Sequence, residues 1–104
     1  MIRKFKDIKI KNGTYGTEIS FEVYDENRAE EDLSSFTSVK AKFYKYTNLK
    51  TEKFGGTCVV SGNVATYSFL KTDLTENGIY VIMIELLKTG YRNIIGMDYN
   101  LIVE

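Results

Sequence analysis

The sequence contains no histidine and no proline, and it has one cysteine among 104 residues. The lack of histidine excludes Ser-His-Asp and Cys-His catalysis, histidine-bearing zinc sites and the commonest general base. Cys58 cannot form an internal disulfide, so we expect it to be a small buried hydrophobic residue in a protein that folds in a reducing cytoplasm. We therefore predict a protein that is not an enzyme and that uses no cofactor or metal.

An excess of charge of one sign is also absent, because 14 lysine and arginine residues balance 14 aspartate and glutamate residues. No long-range field then attracts nucleic acid or an anionic membrane surface. The longest nearly uninterrupted apolar run, residues 79–87, contains Glu85 and is about half the ~20 residues that a membrane-spanning helix needs. We predict neither nucleic acid nor a membrane as a partner.

The dominant pattern is alternation of apolar and polar residues, which is typical of strands with one buried face. Gly62-Asn63 can take the positive φ that a two-residue hairpin turn requires. Gly55-Gly56 is interpreted as a turn, and residues 29–36 as a loop with at most one helical turn. The last strand is expected to contain a bulge at Gly96. The predicted strands cover residues 5–10, 19–23, 39–46, 57–61, 64–70, 79–87 and 91–103.

Leu74 and Tyr80 match a tyrosine corner, in which a Tyr entering an apolar strand turns its hydroxyl back to upstream backbone. The corner is typical of two-sheet sandwiches, where it fixes the crossing between the fifth and sixth strands. We therefore predict an all-β, immunoglobulin-like antiparallel β-sandwich of about seven strands. Residues 1–104 are expected to form one domain, and both a complete small protein and the N-terminal module of a longer chain stay open.

The two final predicted strands are apolar on both faces, whereas a freely solvated sheet face should be polar. Either loops or another protein must cover this second face, and we favour another protein. The candidate interface consists of Ile79, Val81, Met83, Leu87, Ile94 and Ile102.

Two polar features of the sequence leave ligand binding open, although we favour it less than protein contact. Tyr44 and Tyr46 alternate with lysines on one strand, which is typical of a solvated strand face but also of a platform for sugars. With Tyr91, they are the candidate glycan contacts. The acidic segment 25–32 is expected to be a solvated connection, although its carboxylates leave a calcium site open.

Six segments of the chain resemble the N-terminal domain of phage baseplate upper proteins. The resemblance covers nearly the whole length and is carried by strand, hairpin and corner motifs. The matching segments are Ile19-Ser20-Phe21-Glu22-Val23, Asp32-Leu33-Ser34, Val39-Lys40-Ala41-Lys42-Phe43, Gly62-Asn63-Val64-Ala65-Thr66-Tyr67, Gly78-Ile79-Tyr80 and Asn100-Leu101-Ile102-Val103-Glu104.

The resemblance implies an immunoglobulin-like building block of a virion. Such a domain would attach a carrier of receptor-binding proteins to the tail hub by protein-protein contact. The implied partners are other phage tail or baseplate proteins and further copies of the chain, assembled in the host cytoplasm into a tail baseplate. A carbohydrate-binding or adhesion module of a bacterial surface or phage protein is the alternative.

Overall fold

The computed structural model describes residues 7–104. These residues form eight strands and one short 3-10 helix, Leu33–Ser35. No helix within the described range is long and apolar enough to cross a membrane. The strands are β1 (Ile8–Ile10), β2 (Glu18–Glu22), β3 (Ser38–Lys45), β4 (Glu52–Thr57), β5 (Val59–Ser61), β6 (Val64–Ser68), β7 (Gly78–Lys88) and β8 (Tyr91–Val103).

The strands are arranged in two sheets that enclose the core. The larger sheet has the order β1-β8-β7-β3-β4, and the smaller has the order β2-β6-β5. This strand order matches an immunoglobulin-like sandwich in which one extra strand, β4, lies beside β3 in the larger sheet. The predicted all-β immunoglobulin-like sandwich is confirmed.

Two details of that prediction are corrected. The described residues form eight strands instead of about seven, and β1 runs parallel to β8, with Ile8 opposite Leu101. All other strand pairs are antiparallel. Phe5, which was assigned to the first strand, lies outside the described residues.

The apolar residues of the alternating sequence pattern form the core. On β7, Tyr80, Ile82, Ile84 and Leu86 are fully buried and face the smaller sheet. Ile82 lies two residues after the corner tyrosine, where antibody domains place the second cysteine of their inter-sheet disulfide. Hydrophobic packing therefore fills this position without a covalent link. An aromatic cluster adds to the core and comprises Phe43, Phe54, Tyr67, Phe69 and Tyr80.

The predicted tyrosine corner has the expected geometry. Leu74 and Tyr80 are each only 1% exposed. The Tyr80 hydroxyl donates a 2.6 Å hydrogen bond to the backbone carbonyl of Glu76. This hydrogen bond therefore links the connection that precedes β7 to a core-facing side chain of β7.

The predicted strand 57–61 is divided at Cys58, where the chain passes from β4 in one sheet to β5 in the other. Cys58 is buried, and its backbone N–H donates to the Val39 carbonyl at 2.8 Å. Burial raises the pKa of the Cys58 thiol to about 11, so the reactive thiolate is disfavoured. The interpretation of Cys58 as a core residue is confirmed.

The interpretation of Gly55-Gly56 as a turn is wrong, because both glycines lie within β4. Gly55 pairs with Lys42, and a Cβ atom at Gly55 would collide with the backbone carbonyl oxygen of Ala41. Only glycine allows the backbones of β3 and β4 to approach this closely.

The bulge expected at Gly96 is confirmed, and it contains two extra residues. Met83 pairs with Gly96 and Val81 pairs with Asn100, so four steps on β8 match two steps on β7. An insertion of two residues preserves the alternation of faces, whereas a single extra residue would reverse it. Ile95 and Leu101, on either side of the bulge, therefore both pack against the core.

The segment 29–36 contains one helical turn, as expected. Asp32 caps the 3-10 helix, because its carboxylate accepts hydrogen bonds from the backbone N–H and the hydroxyl of Ser34 at 3.1 and 2.6 Å. Leu33 is fully buried and fastens the turn to the core.

We predict that Gly55→Ala lowers the free energy of unfolding by about 1–3 kcal/mol, because the added methyl group forces β4 away from β3. Chemical denaturation measures the change. Gly96→Ala is the matched control, since its Cβ would lie 3.6 Å from the Met83 sulfur, an ordinary contact. Equal stability of the two variants would contradict the close approach of the strands.

Candidate functional site

We use the name outer face for the side of the five-stranded sheet that points away from the core. Strand register places the six candidate interface residues on it: Ile79 lies opposite Ile102, and Ile94 lies opposite Glu85. The side chains of Ile79 and Ile94 are 44% and 42% exposed, and the other four are half-buried. The candidate interface residues on the outer face are Ile79, Val81, Met83, Leu87, Ile94 and Ile102.

A row of charges crosses the outer face diagonally to the strands. Glu85, on β7, is only 4% exposed. Its Oε2 atom lies 3.2 Å from the Nζ of Lys42 on β3 and 2.8 Å from the Nη2 of Arg92 on β8. Lys42 also lies 3.8 Å from Glu52 on β4. The sequence pattern showed an interrupted apolar run here, but the partners of Glu85 were not predicted.

Two opposing effects act on Glu85. Burial disfavours its charged form, but hydrogen bonds and charge from Lys42 and Arg92 outweigh that effect and lower the pKa of Glu85. The carboxylate is therefore ionised and paired at neutral pH. Removing either cation would leave a buried charge with one partner fewer, which is costly.

An aromatic pair lies at the end of the sheet where β7 turns into β8. The rings of Phe36 and Tyr91 are 5.8 Å apart between centroids. The Nζ atom of Lys88 lies 5.0 Å from the Phe36 ring and 5.2 Å from the Tyr91 ring, within the range of a cation–π interaction.

The three candidate glycan contacts are not brought together. Tyr44 pairs with Val81 near the start of β7, and Tyr46 follows on the same side of the sheet. Tyr91 pairs with Lys88 at the other end of β7. Seven residues of strand separate these positions, which corresponds to about 23 Å. A single sugar ring cannot contact both groups.

Glu76 links the tyrosine corner to the hairpin formed by β3 and β4. Its backbone carbonyl accepts from Tyr80, while its carboxylate forms ion pairs with Lys45 and, at 2.9 Å, with Lys53. Hydrogen bonds from Lys45 and Lys53, reinforced by their charge, lower the pKa of Glu76 to about 2. Sequence analysis identified the corner but not this ionic clamp.

A cleft was also missed by sequence analysis. It has a volume of about 650 Å³ and lies between β2 with its following loop and the bulge of β8. Tyr24, Arg28 and Tyr99 line it together with apolar and acidic side chains. The only sequence signal for it was the bulge expected at Gly96, because the other residues lie far apart along the chain.

The loop beside this cleft has an unusual backbone. Arg28 has φ +63°, which costs a residue other than glycine about 1 kcal/mol or more. The turn is closed by a hydrogen bond from the Arg28 N–H to the Asp25 carbonyl at 3.0 Å. Residues in this position after a tight turn are commonly glycine.

The acidic segment supplies no group of carboxylates arranged around a metal position. Within residues 7–104, no group of three or more potential ligands lies close enough to hold a metal ion. Asp25 accepts hydrogen bonds from the backbone N–H groups of Asn27 and Ala29, at 2.8 and 2.9 Å. This carboxylate shapes the turn.

No family model, curated protein or solved structure matches the chain.

We predict that Glu76 titrates near pH 2, well below an ordinary glutamate. A lowered pKa in the folded state means that the stabilisation is present above the unfolded-state value of about 4.5 and is lost as pH falls toward about 2. Carbon-detected NMR titration of the Glu76 carboxyl group measures this directly.

The control is Glu76→Gln, which has no carboxylate to protonate at this position. Between about pH 5 and pH 2, its stability should therefore fall less than that of the wild type. A Glu76 midpoint near 4.5, or identical acid sensitivity of the two proteins, would contradict the clamp.

Proposed function

We propose that this protein is a structural assembly module of a phage tail baseplate, which attaches a carrier of receptor-binding proteins to the tail hub. The contact is protein-protein, through the outer face, and the particle contains several copies. The observation that carries the proposal is the exposure of Ile79 and Ile94 on that face. The resemblance to baseplate upper proteins supplies the phage context.

The outer face is suited to desolvation when a partner docks on it. Its apolar side chains gain free energy on burial, at roughly 25 cal/mol per Å². The buried carboxylate among them, Glu85, is already paired, since it contacts Lys42 and Arg92. A paired carboxylate needs no new partner from the docking protein, so its presence does not exclude an apolar contact.

The face is also rigid before any partner arrives. β7 is the central strand of the larger sheet and is paired along its length with β3 and β8. Side chains on such a strand lose little additional freedom on binding, which favours association. A rigid apolar strip with polar flanks is the usual anatomy of a protein interface.

Localisation in the virion, after assembly in the host cytoplasm, is part of the same proposal. The buried thiol of Cys58 and the hydrophobic packing at Ile82 support it, because this sandwich reaches a closed core without a disulfide. The carbohydrate-binding alternative through Tyr44, Tyr46 and Tyr91 is less well supported, because these side chains lie at two ends of the sheet.

We predict that the double variant Ile79→Lys/Ile94→Lys binds its tail partner at least about tenfold more weakly, because docking would bury two unpaired ammonium groups. The chain is coexpressed with the tail proteins encoded beside its gene, and complexes are measured by size-exclusion chromatography with light scattering. Wild-type protein should elute in a complex with one of them.

Val59→Lys is the matched control. Val59 is 76% exposed on β5, in the smaller sheet, so its substitution tests the effect of surface charge away from the outer face. Equal loss of binding in both variants would contradict the assignment of the surface. Neighbouring genes without tail functions, or no complex with any encoded tail protein, would contradict the proposed function.

A further inference from the structure

We propose that the cleft between β2 and the bulge of β8 binds a neutral sugar ring. The site is separate from the outer face, and the proposal does not rest on the assembly function. It also differs from the tyrosine platform considered from the sequence, since it contains none of those three tyrosines.

The shape of the cleft fits a small molecule. Its volume of about 650 Å³ falls within the roughly 300–1,000 Å³ of known ligand pockets. Val23, which is 1% exposed, and the half-buried Ile95 and Met97 provide its apolar lining. The extra residues of the β8 bulge form one wall, and bulges commonly occur beside functional sites.

Two tyrosine rings give the cleft aromatic surfaces. Tyr99 is half-buried and stacks on the core residue Phe21, with centroids 6.4 Å apart and planes inclined by 13°. Tyr24 is 44% exposed, and its hydroxyl donates a 2.7 Å hydrogen bond to Glu22. These contacts restrain both rings in advance, and a flat apolar ring surface suits the C–H face of a sugar.

The polar groups of the cleft favour a neutral ligand with many hydroxyl groups. Arg28 offers donors, Glu22 offers acceptors, and Ser20 offers a hydroxyl that also bonds to Thr66. Sugar hydroxyls both donate and accept, so they can satisfy groups of both kinds. The Glu22 carboxylate, which lines the same cleft as the guanidinium, disfavours a phosphate or another anion.

Arg28 is the residue that most directly points to a ligand. It occupies a backbone conformation with φ +63° that glycine would adopt without strain. Within residues 7–104 its guanidinium forms no ion pair. Strained backbone is concentrated at functional sites, and here it accompanies a charged side chain that lines the cleft.

The test uses Arg28→Gly, which removes the guanidinium and relieves the backbone strain at the same position. Glucose, galactose, mannose and N-acetylglucosamine are titrated separately into the millimolar range. Binding is followed by amide chemical shifts in two-dimensional NMR. We expect at least one sugar to perturb residues 20–28 and 95–99 together in the wild type.

Arg28→Gly should weaken that binding about tenfold or more, while its melting temperature stays equal or rises. Tyr24→Ala should weaken it similarly, and Tyr46→Ala, at a 63% exposed tyrosine outside the cleft, should not. Glucose 6-phosphate should bind no better than glucose.

Three results would overturn the proposal. The first is the absence of shift changes in the cleft with all four sugars. The second is unchanged sugar binding by Arg28→Gly. The third is preferential binding of the phosphorylated sugar, which would identify an anion site.

Discussion

The hydrogen bond from the Tyr80 hydroxyl to the Glu76 carbonyl is the constraint on which the other features depend. It fixes where the chain enters β7, and the entry point sets which side chains of β7 face the core. Because side chains alternate along a strand, a slip of one residue would exchange Ile82 and Ile84 for Val81 and Met83. The ion pairs of Glu76 with Lys45 and Lys53 hold the same connection from outside. Both the core and the outer face therefore follow from one local geometry.

The two candidate sites depend on this strand register in different ways. The outer face is a product of regular pairing, since β7 is flanked on both sides and presents its second apolar stripe from a rigid sheet. The cleft results from an irregularity, because two extra residues in β8 push its backbone out of the ladder opposite β2. We propose that the outer face contacts a protein and that the cleft binds a small ligand.

Sequence reasoning predicted the features that depend on local patterns. Alternation located β2, β3, β7 and β8, and the spacing of Leu74 and Tyr80 predicted the corner. It missed β4 because Gly55 and Gly56 favour turns locally, and only the nearby Ala41 carbonyl explains why glycine is needed in that strand. The parallel pairing of β1 with β8 joins the two ends of the chain, and no local signal reports it.

The candidate sites show the same division between local and long-range information. The parity of β7 and β8 was enough to place the six candidate interface residues on one face. The partners of Glu85 come from β3 and β8, so their arrangement required the register of both neighbouring strands. The cleft joins Tyr24 and Arg28 to Tyr99, and only the packing of β2 against the bulge brings them together.

The most direct measurement of the central constraint is the change in unfolding free energy caused by Tyr80→Phe. That variant keeps the buried ring and removes only the hydroxyl that donates to Glu76. We predict a loss of about 1–2 kcal/mol, the value of a partly buried hydrogen bond together with the acceptor it leaves unpaired. Tyr46→Phe, at a tyrosine that is 63% exposed, should change stability by less than about 0.5 kcal/mol. Equal stability of Tyr80→Phe and Tyr46→Phe would contradict the account.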